Sequence, residues 1–313
     1  MGFGGAVDRR GILRWAGALG LGLAGPRSLP AEAGHPEAGH PGDGPAGAWP
    51  AGAGRAAAER DLGGDAPLVL GIFPYLPPLH IGRKFGPLAA ALAEHCEHPV
   101  SLKTKSTFPA FRQLLLDGHY DLALLHPFLY ADVQPVQDYR PLGRLREDLA
   151  AVVVSRDERR FERFADLRGQ TLAVPPRLSA VAQLVQHELK REGLAGPDGV
   201  RLVFHRTKAA CLHAVASDAA VACAVPPFAL DQLELFQPLA LSPKFATPAI
   251  PGLLLVAHGR LGNGYVGALR RAVLAWGDDP ASRELLQALG WTGLIPVRAG
   301  EYDWNRLALL VEG

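Results

Sequence analysis

The chain has 313 residues, 48% of them hydrophobic and 20% charged, with a net charge of +1. That composition belongs to a globular protein with room for two domains, and near-neutrality without a Lys/Arg block excludes nucleic acid as a partner. Cys96, Cys211 and Cys223 show no CxxC or zinc spacing, so no disulfide framework or zinc ribbon is expected; a Cys211–Cys223 bridge stays open in an oxidising compartment, but buried free thiols are the expectation.

Residues 1–33 read as an export signal rather than as fold. Asp8-Arg9-Arg10-Gly11-Ile12-Leu13-Arg14 precedes an apolar run from Trp15 to Ala24, and Ala31-Glu32-Ala33 offers a small-x-small cleavage site. The run is shorter than the roughly 20 residues a membrane helix needs. Its paired arginines beside a weakly apolar core resemble a twin-arginine signal. Residues 34–66 form a Gly/Ala/Pro-rich tract that cannot bury enough apolar surface to order itself, so a disordered tether is expected there.

From Pro67 the pattern changes. Leu68 to Phe73 is a continuous apolar run, as in a strand buried on both faces. Ile81, Phe85, Leu88, Ala89 and Leu92 mark one helical face, Val100 to Lys105 alternates as a strand, and Phe108, Phe111, Leu114 and Leu115 predict a helix closing near Gly118. Asp121 to Leu125 is a third strand, stopped at His126-Pro127. A long connection leads through Pro141 to a strand at Ala150–Val154. Then the order repeats: Thr171–Val174, a helix to Leu189, Arg201–Phe204, a helix around Ala209–Ala216, and Ala220–Val225. Leu124 to Tyr130 and Ala224 to Leu230 echo each other, each with a proline stop and a phenylalanine. A further core strand at Gly252–Ala257 and two helices follow.

Two βαβαβ units predict an α/β fold of two lobes, each built on a mixed, mostly parallel sheet. The expected division is 67–148 with 246–313 for lobe 1 and 149–245 for lobe 2. The chain then crosses twice between lobes, which predicts a hinge and a cleft.

Ligands of open α/β sheets sit beyond the carboxyl ends of the strands. Those ends carry Pro74-Tyr75, Ser106-Thr107, His126-Pro127, Arg177 to Ser179, His205 to Thr207 and Pro226-Pro227. Hydroxyls, a phenol, histidines and arginines gather there with almost no carboxylate, which suits an oxyanion. The candidate ligand-binding residues are therefore Tyr75, Thr107, His126, Arg177, Ser179, His205 and Pro226. Ser179 stands at the start of a helix, where free backbone N–H groups and the positive dipole end favour an anion.

Leu70-Gly71-Ile72-Phe73-Pro74, Asp117-Gly118-His119-Tyr120-Asp121-Leu122-Ala123, His126-Pro127 and Asp166-Leu167-Arg168-Gly169-Gln170-Thr171-Leu172-Ala173 resemble the phosphonate/phosphate-type solute-binding proteins of ABC importers. The resemblance runs from about Pro67 to near Trp304. It implies a periplasmic-binding-protein (type II, Venus-flytrap) fold that closes on a small oxyanion and passes it to an inner-membrane permease. It matches Tyr75 to the first-lobe loop, His126 to the loop after the third strand, and Ser179 to the helix that grips the phosphonate oxygens. The family's hydroxyl-rich run is here Pro175-Pro176-Arg177-Leu178-Ser179-Ala180-Val181, with a single hydroxyl. Arg177 is then expected to add charge-assisted bonds, or the ligand is a different, less charged molecule.

The alternative is a periplasmic sensor subunit of the same fold that docks on a histidine kinase. A hydrolase is disfavoured, since no G-x-S-x-G elbow occurs and no acidic residue is evident to orient a Ser179–histidine pair. His95-Cys96-Glu97-His98 lies at a helix end and is expected to be solvated rather than to hold zinc. A periplasmic monomer without metal or cofactor is expected.

Overall fold

The computed structural model describes residues 66–230 and 240–303. The expected signal, nearly all of the tether and the last ten residues lie outside them. The elements begin with β1 (Leu68–Ile72), α1 (Pro78–Cys96), β2 (Val100–Lys103), α2 (Phe108–Leu116), β3 (Leu122–Leu125), α3 (Pro127–Val133) and β4 (Tyr139–Leu145). Then come β5 (Val152–Arg156), β6 (Thr171–Val174), α4 (Ala180–Arg191), β7 (Arg201–Phe204), α5 (Lys208–Ala216), β8 (Ala222–Val225) and β9 (Leu241–Ala246). The described chain closes with β10 (Leu254–His258), α6 (Asn263–Leu274), α7 (Pro280–Leu289) and β11 (Leu294–Ile295).

Two sheets result, in the orders β11-β4-β10-β3-β1-β2 and β7-β6-β8-β5-β9. Leaving aside the short β11, they have one plan. In each, three strands run parallel with the first in the middle, then one antiparallel strand, then a fourth strand parallel to the first three. The antiparallel strand of the first sheet is β10, which follows the whole second sheet in sequence. Lobe 2 is thus inserted into lobe 1. The two crossing segments lie side by side: Leu149 and Ile250 exchange backbone hydrogen bonds of 2.8 and 2.9 Å, and Thr247 Oγ1 accepts from the Ala151 amide at 3.0 Å.

Lobe 2 shows why its strands read as continuous apolar runs. Val153, Leu172, Val174, Ala222 and Ala224 face α4, while Val152, Val154, Ala173, Cys223 and Val225 face α5. Period-two alternation places core on both sides of one layer. In lobe 1, α1 buries Ile81, Phe85, Leu88, Ala89 and Leu92, the stripe read from the sequence. Asp279 caps α7 by accepting from the Ser282 amide at 2.7 Å. Gly71 in β1 lies flat against Tyr120, whose ring would sit 2.7 Å from any Cβ added there.

Besides the two-residue β11, two strands escape the sequence reading, β4 and β9. Each carries a proline, Pro141 and Pro243, which argues against a strand because it removes a ladder donor. Both prolines sit at register shifts, opposite Val256 in β10 and Val154 in β5. A bulge leaves an N–H unneeded, so proline is tolerated. The expectation of free thiols is also corrected. Cys211 on α5 and Cys223 on β8 are bridged, with Cα atoms 5.8 Å apart, because β8 returns directly beneath the helix; only Cys96 is free.

Candidate functional site

The carboxyl ends of the parallel strands meet along the seam between the lobes. Phe73 directly follows the end of β1, and its ring lies edge-on to His126 with centroids 5.4 Å apart. The Tyr75 amide turns back onto the Phe73 carbonyl at 2.9 Å, which holds the phenol beside Phe73 (5.0 Å) and, across the seam, near Phe228 (6.0 Å). Burial pushes the Tyr75 phenol above its ordinary pKa, so it stays a neutral donor.

The local chemistry of β6 and α4 follows from sequence. Pro175 and Pro176 end the strand, and Ser179 becomes the N-cap: its Oγ accepts from the Ala182 amide at 3.2 Å and its carbonyl from Gln183 at 3.0 Å. A helix leaves its first N–H groups without intrahelical partners. Here the cap takes one, while the amides of Ala180 and Val181 have no acceptor among the described residues. Both residues are nearly buried, 7% and 5% exposed, and Ser179 is 8% exposed. Two free N–H groups at a helix N-terminus, on nearly buried residues, offer an anion two donors.

His126 does a different job. It caps α3, accepting the Leu129 amide on Nδ1 at 3.3 Å, so Nε2 carries the proton and donates to the Leu178 carbonyl in lobe 2 at 3.1 Å. Complete burial drives its pKa down to about 3, against a smaller opposing pull from the Leu178 bond. The ring is a neutral clasp between the lobes, with both nitrogens spoken for by protein.

The remaining candidates scatter. Thr107 caps α2 through the Ala110 amide and is exposed. Thr207 caps α5 in the same way. The Pro226 carbonyl accepts from Ala229. His205 bonds its amide to the Val174 carbonyl, while its buried Nε2 has no hydrogen-bond partner among the described residues. Arg177 does not join the seam: its guanidinium stacks 4.2 Å over Phe204 and bonds Gln186, in a depression lined only by lobe 2. Tyr75, His126 and Ser179 are therefore brought into one line, and Arg177 is not. At the end of α1, His95 accepts from Trp276, His98 reaches the Ala66 carbonyl and Cys96 is buried; no metal-binding group of side chains occurs among the described residues.

Sequence reasoning missed the residues that reach across. Phe128 of lobe 1 is 2% exposed inside the lobe 2 core and stacks on His187 at 5.7 Å, with planes 8° apart. Its counterpart Phe228 reaches the opposite way, to Tyr75. The echo between Leu124–Tyr130 and Ala224–Leu230 was the available signal, since corresponding turns carry both phenylalanines. Lys84 and Lys208 also flank this line of rings, and nothing local marked them.

Comparisons with known proteins bear on the family and the fold. A family model described as an ABC transporter phosphonate periplasmic substrate-binding protein matches residues 70–302. No curated protein matches the sequence. PhnD1 of Prochlorococcus marinus, solved with methylphosphonate, shares the fold at a TM-score of 0.68 and 15% identity, over 78% of this chain and 97% of that one. A binding-protein component of an ABC phosphonate transporter from Pseudomonas aeruginosa gives 0.65 and 15%, over 80% and 87%. A histidine kinase sensor domain similar to periplasmic binding proteins gives 0.53 and 18%, over 74% and 98%. With its described lobes spanned by that model and its sheets ordered as a type II binding protein, the chain belongs to the periplasmic substrate-binding proteins of phosphonate ABC transporters.

Proposed function

We propose that this protein captures a small oxyanion of the phosphonate, phosphate or phosphite kind in the interlobe cleft and presents it to an ABC permease. The observation that carries the reading is the pair of amides, Ala180 and Val181, unpartnered among the described residues and lying on nearly buried residues at the start of α4. Each partly buried helix-end interaction with an anion contributes up to about 2 kcal/mol. Ser179 fixes the cradle's shape, Tyr75 supplies a neutral donor from the opposite lobe, and His126 holds the Leu178 turn beside it. Thr107, His205 and Pro226 are proposed as secondary contacts. Arg177 would reach the ligand only by leaving Phe204.

The lobes are proposed to divide at 148/149 and 245/246, where the paired crossing segments supply the hinge, and the protein to act as a monomer. Export by the twin-arginine route is the proposed path to the periplasm; a bridged Cys211–Cys223 suits that oxidising compartment. The similarity to a histidine kinase sensor domain favours, as second reading, a sensing subunit with the same cleft.

Calorimetric titration with methylphosphonate, phosphate, phosphite and sulfate tests the proposal. Ser179→Ala is expected to cost about 1 kcal/mol of stability through the lost cap. It and Tyr75→Ala are each expected to weaken binding about tenfold, the scale of one hydrogen bond to a charged group. Unchanged affinity in both variants would remove these residues from the site.

A further inference from the structure

Lys84 lies on α1 in lobe 1, and Lys208 is the first residue of α5 in lobe 2. Between them runs a line of rings: Phe85 lies 6.1 Å from Tyr75, and Tyr75 lies 6.0 Å from Phe228. An ammonium stands at each end, Lys84 Nζ 6.0 Å from the Phe85 ring and Lys208 Nζ 4.8 Å from that of Phe228. Both side chains are half-buried, and among the described residues neither has a hydrogen bond or an ion pair. Burial first, and then the charge of Lys84, push the Lys208 ammonium down to about 8. Burial lowers Lys84 as well.

A lysine normally extends its charge into water, and a ring face offers only partial compensation. Two ammoniums from opposite lobes, partly desolvated and repelling each other, are unfavourable until an anion stands with them. They are tied to the α4 cradle by a continuous row of contacts. Phe228 touches Tyr75, Tyr75 touches Phe73, Phe73 touches His126, and His126 bonds the residue before Ser179. Phe228 is 48% exposed whereas Phe128 is 2% exposed, so the lysine end of the row is the open one.

We propose that Lys84 and Lys208 hold the far end of the ligand, and that this end carries its own negative group. The protein then selects a bifunctional anion, with an oxyanion head at α4 and a carboxylate or second phosphoryl group between the lysines. An ammonium-tailed phosphonate would be repelled. The inference rests on the cleft being an oxyanion site.

The test is a ligand series on one skeleton: methylphosphonate, its carboxyalkyl forms phosphonoacetate and 3-phosphonopropionate, and its aminoalkyl forms aminomethylphosphonate and 2-aminoethylphosphonate. Wild-type protein is expected to bind the better carboxyalkyl form about tenfold more tightly than methylphosphonate, and the aminoalkyl forms more weakly than methylphosphonate. Lys84→Met and Lys208→Met should each erase the carboxylate preference while changing methylphosphonate affinity less than about threefold, and Lys→Arg should retain it. Thermal melts confirm that the variants are folded, and a Lys84→Glu/Lys208→Glu double variant should reverse the order of tails. Equal binding of both tails by the wild type, or equal loss of all ligands in the Met variants, overturns the inference and leaves the oxyanion reading standing. Binding of none of the series nor of inorganic phosphate would instead defeat the oxyanion reading itself.

Discussion

Replacing His126 with asparagine tests whether one ring fastens the two lobes. The side-chain oxygen of asparagine can keep the cap on the Leu129 amide, but it cannot reach Leu178. At pH 7.5 the variant should lose the interlobe hydrogen bond and some packing, about 1–2 kcal/mol. The pH dependence is more telling. Burial lowers His126 from 6.5 to about 3. Between those values the unfolded chain binds a proton that the folded chain refuses, so stability is full above 6.5 and drains away on acidification. The slope approaches 1.4 kcal/mol per pH unit, roughly 2 kcal/mol by pH 5. His258, pushed down to about 4 by burial and then by the Arg260 charge, loses stability in the same window, but in both proteins equally. Urea unfolding should therefore show wild type losing about 2 kcal/mol more than the variant between pH 7.5 and 5.0, which closes the gap or slightly reverses it. A gap that stays constant would mean that the ring is protonated, or free, in the folded state.

Two further perturbations probe what holds each lobe. Arg260 bonds the fully buried Asp121 at 2.9 and 3.0 Å and also the Gly118 carbonyl, so Arg260→Met should cost about 3–5 kcal/mol in urea unfolding. Asp121→Asn in the same chain should recover a large part of that loss, and a single-variant cost below about 1 kcal/mol would contradict the pairing. The Cys211–Cys223 bridge closes a short loop with a sequence separation of 12, so the double serine variant should lose about 2–4 kcal/mol. Alkylation of the unfolded, unreduced protein should label Cys96 alone; three labelled thiols would remove the bridge.

Much of the fold was legible because the signals were local. Ile81 to Leu92 wrote a helical stripe, and Leu68 to Phe73 wrote a strand covered on both faces. Ser179 was readable as a cap because capping depends on a few neighbouring residues. What failed was decided by the partner strand. Pro141 and Pro243 are compatible with β4 and β9 only because β10 and β5 shift register opposite them. The cysteines read as free thiols because an odd count hides a pair, whereas β8 and α5 bring two of them together. In the candidate site, strand-end chemistry pointed to Tyr75, His126 and Ser179, which the fold brings together, but not to what His126 does, since its partner Leu178 lies 52 positions away. Lys84, Lys208 and Phe228 meet only once both lobes exist, and no window of sequence contains that meeting.

The position of β10 carries a consequence for synthesis. In the first sheet it lies between β3 and β4, so the earlier-made half of that sheet has a missing central rung until His258 has left the ribosome. The second sheet needs nothing beyond Ala246. The lobe translated second is therefore the first that can complete itself. A nascent chain arrested between those points would carry a finished later lobe attached to an unfinished earlier one, its β3 edge open to whatever strand arrives.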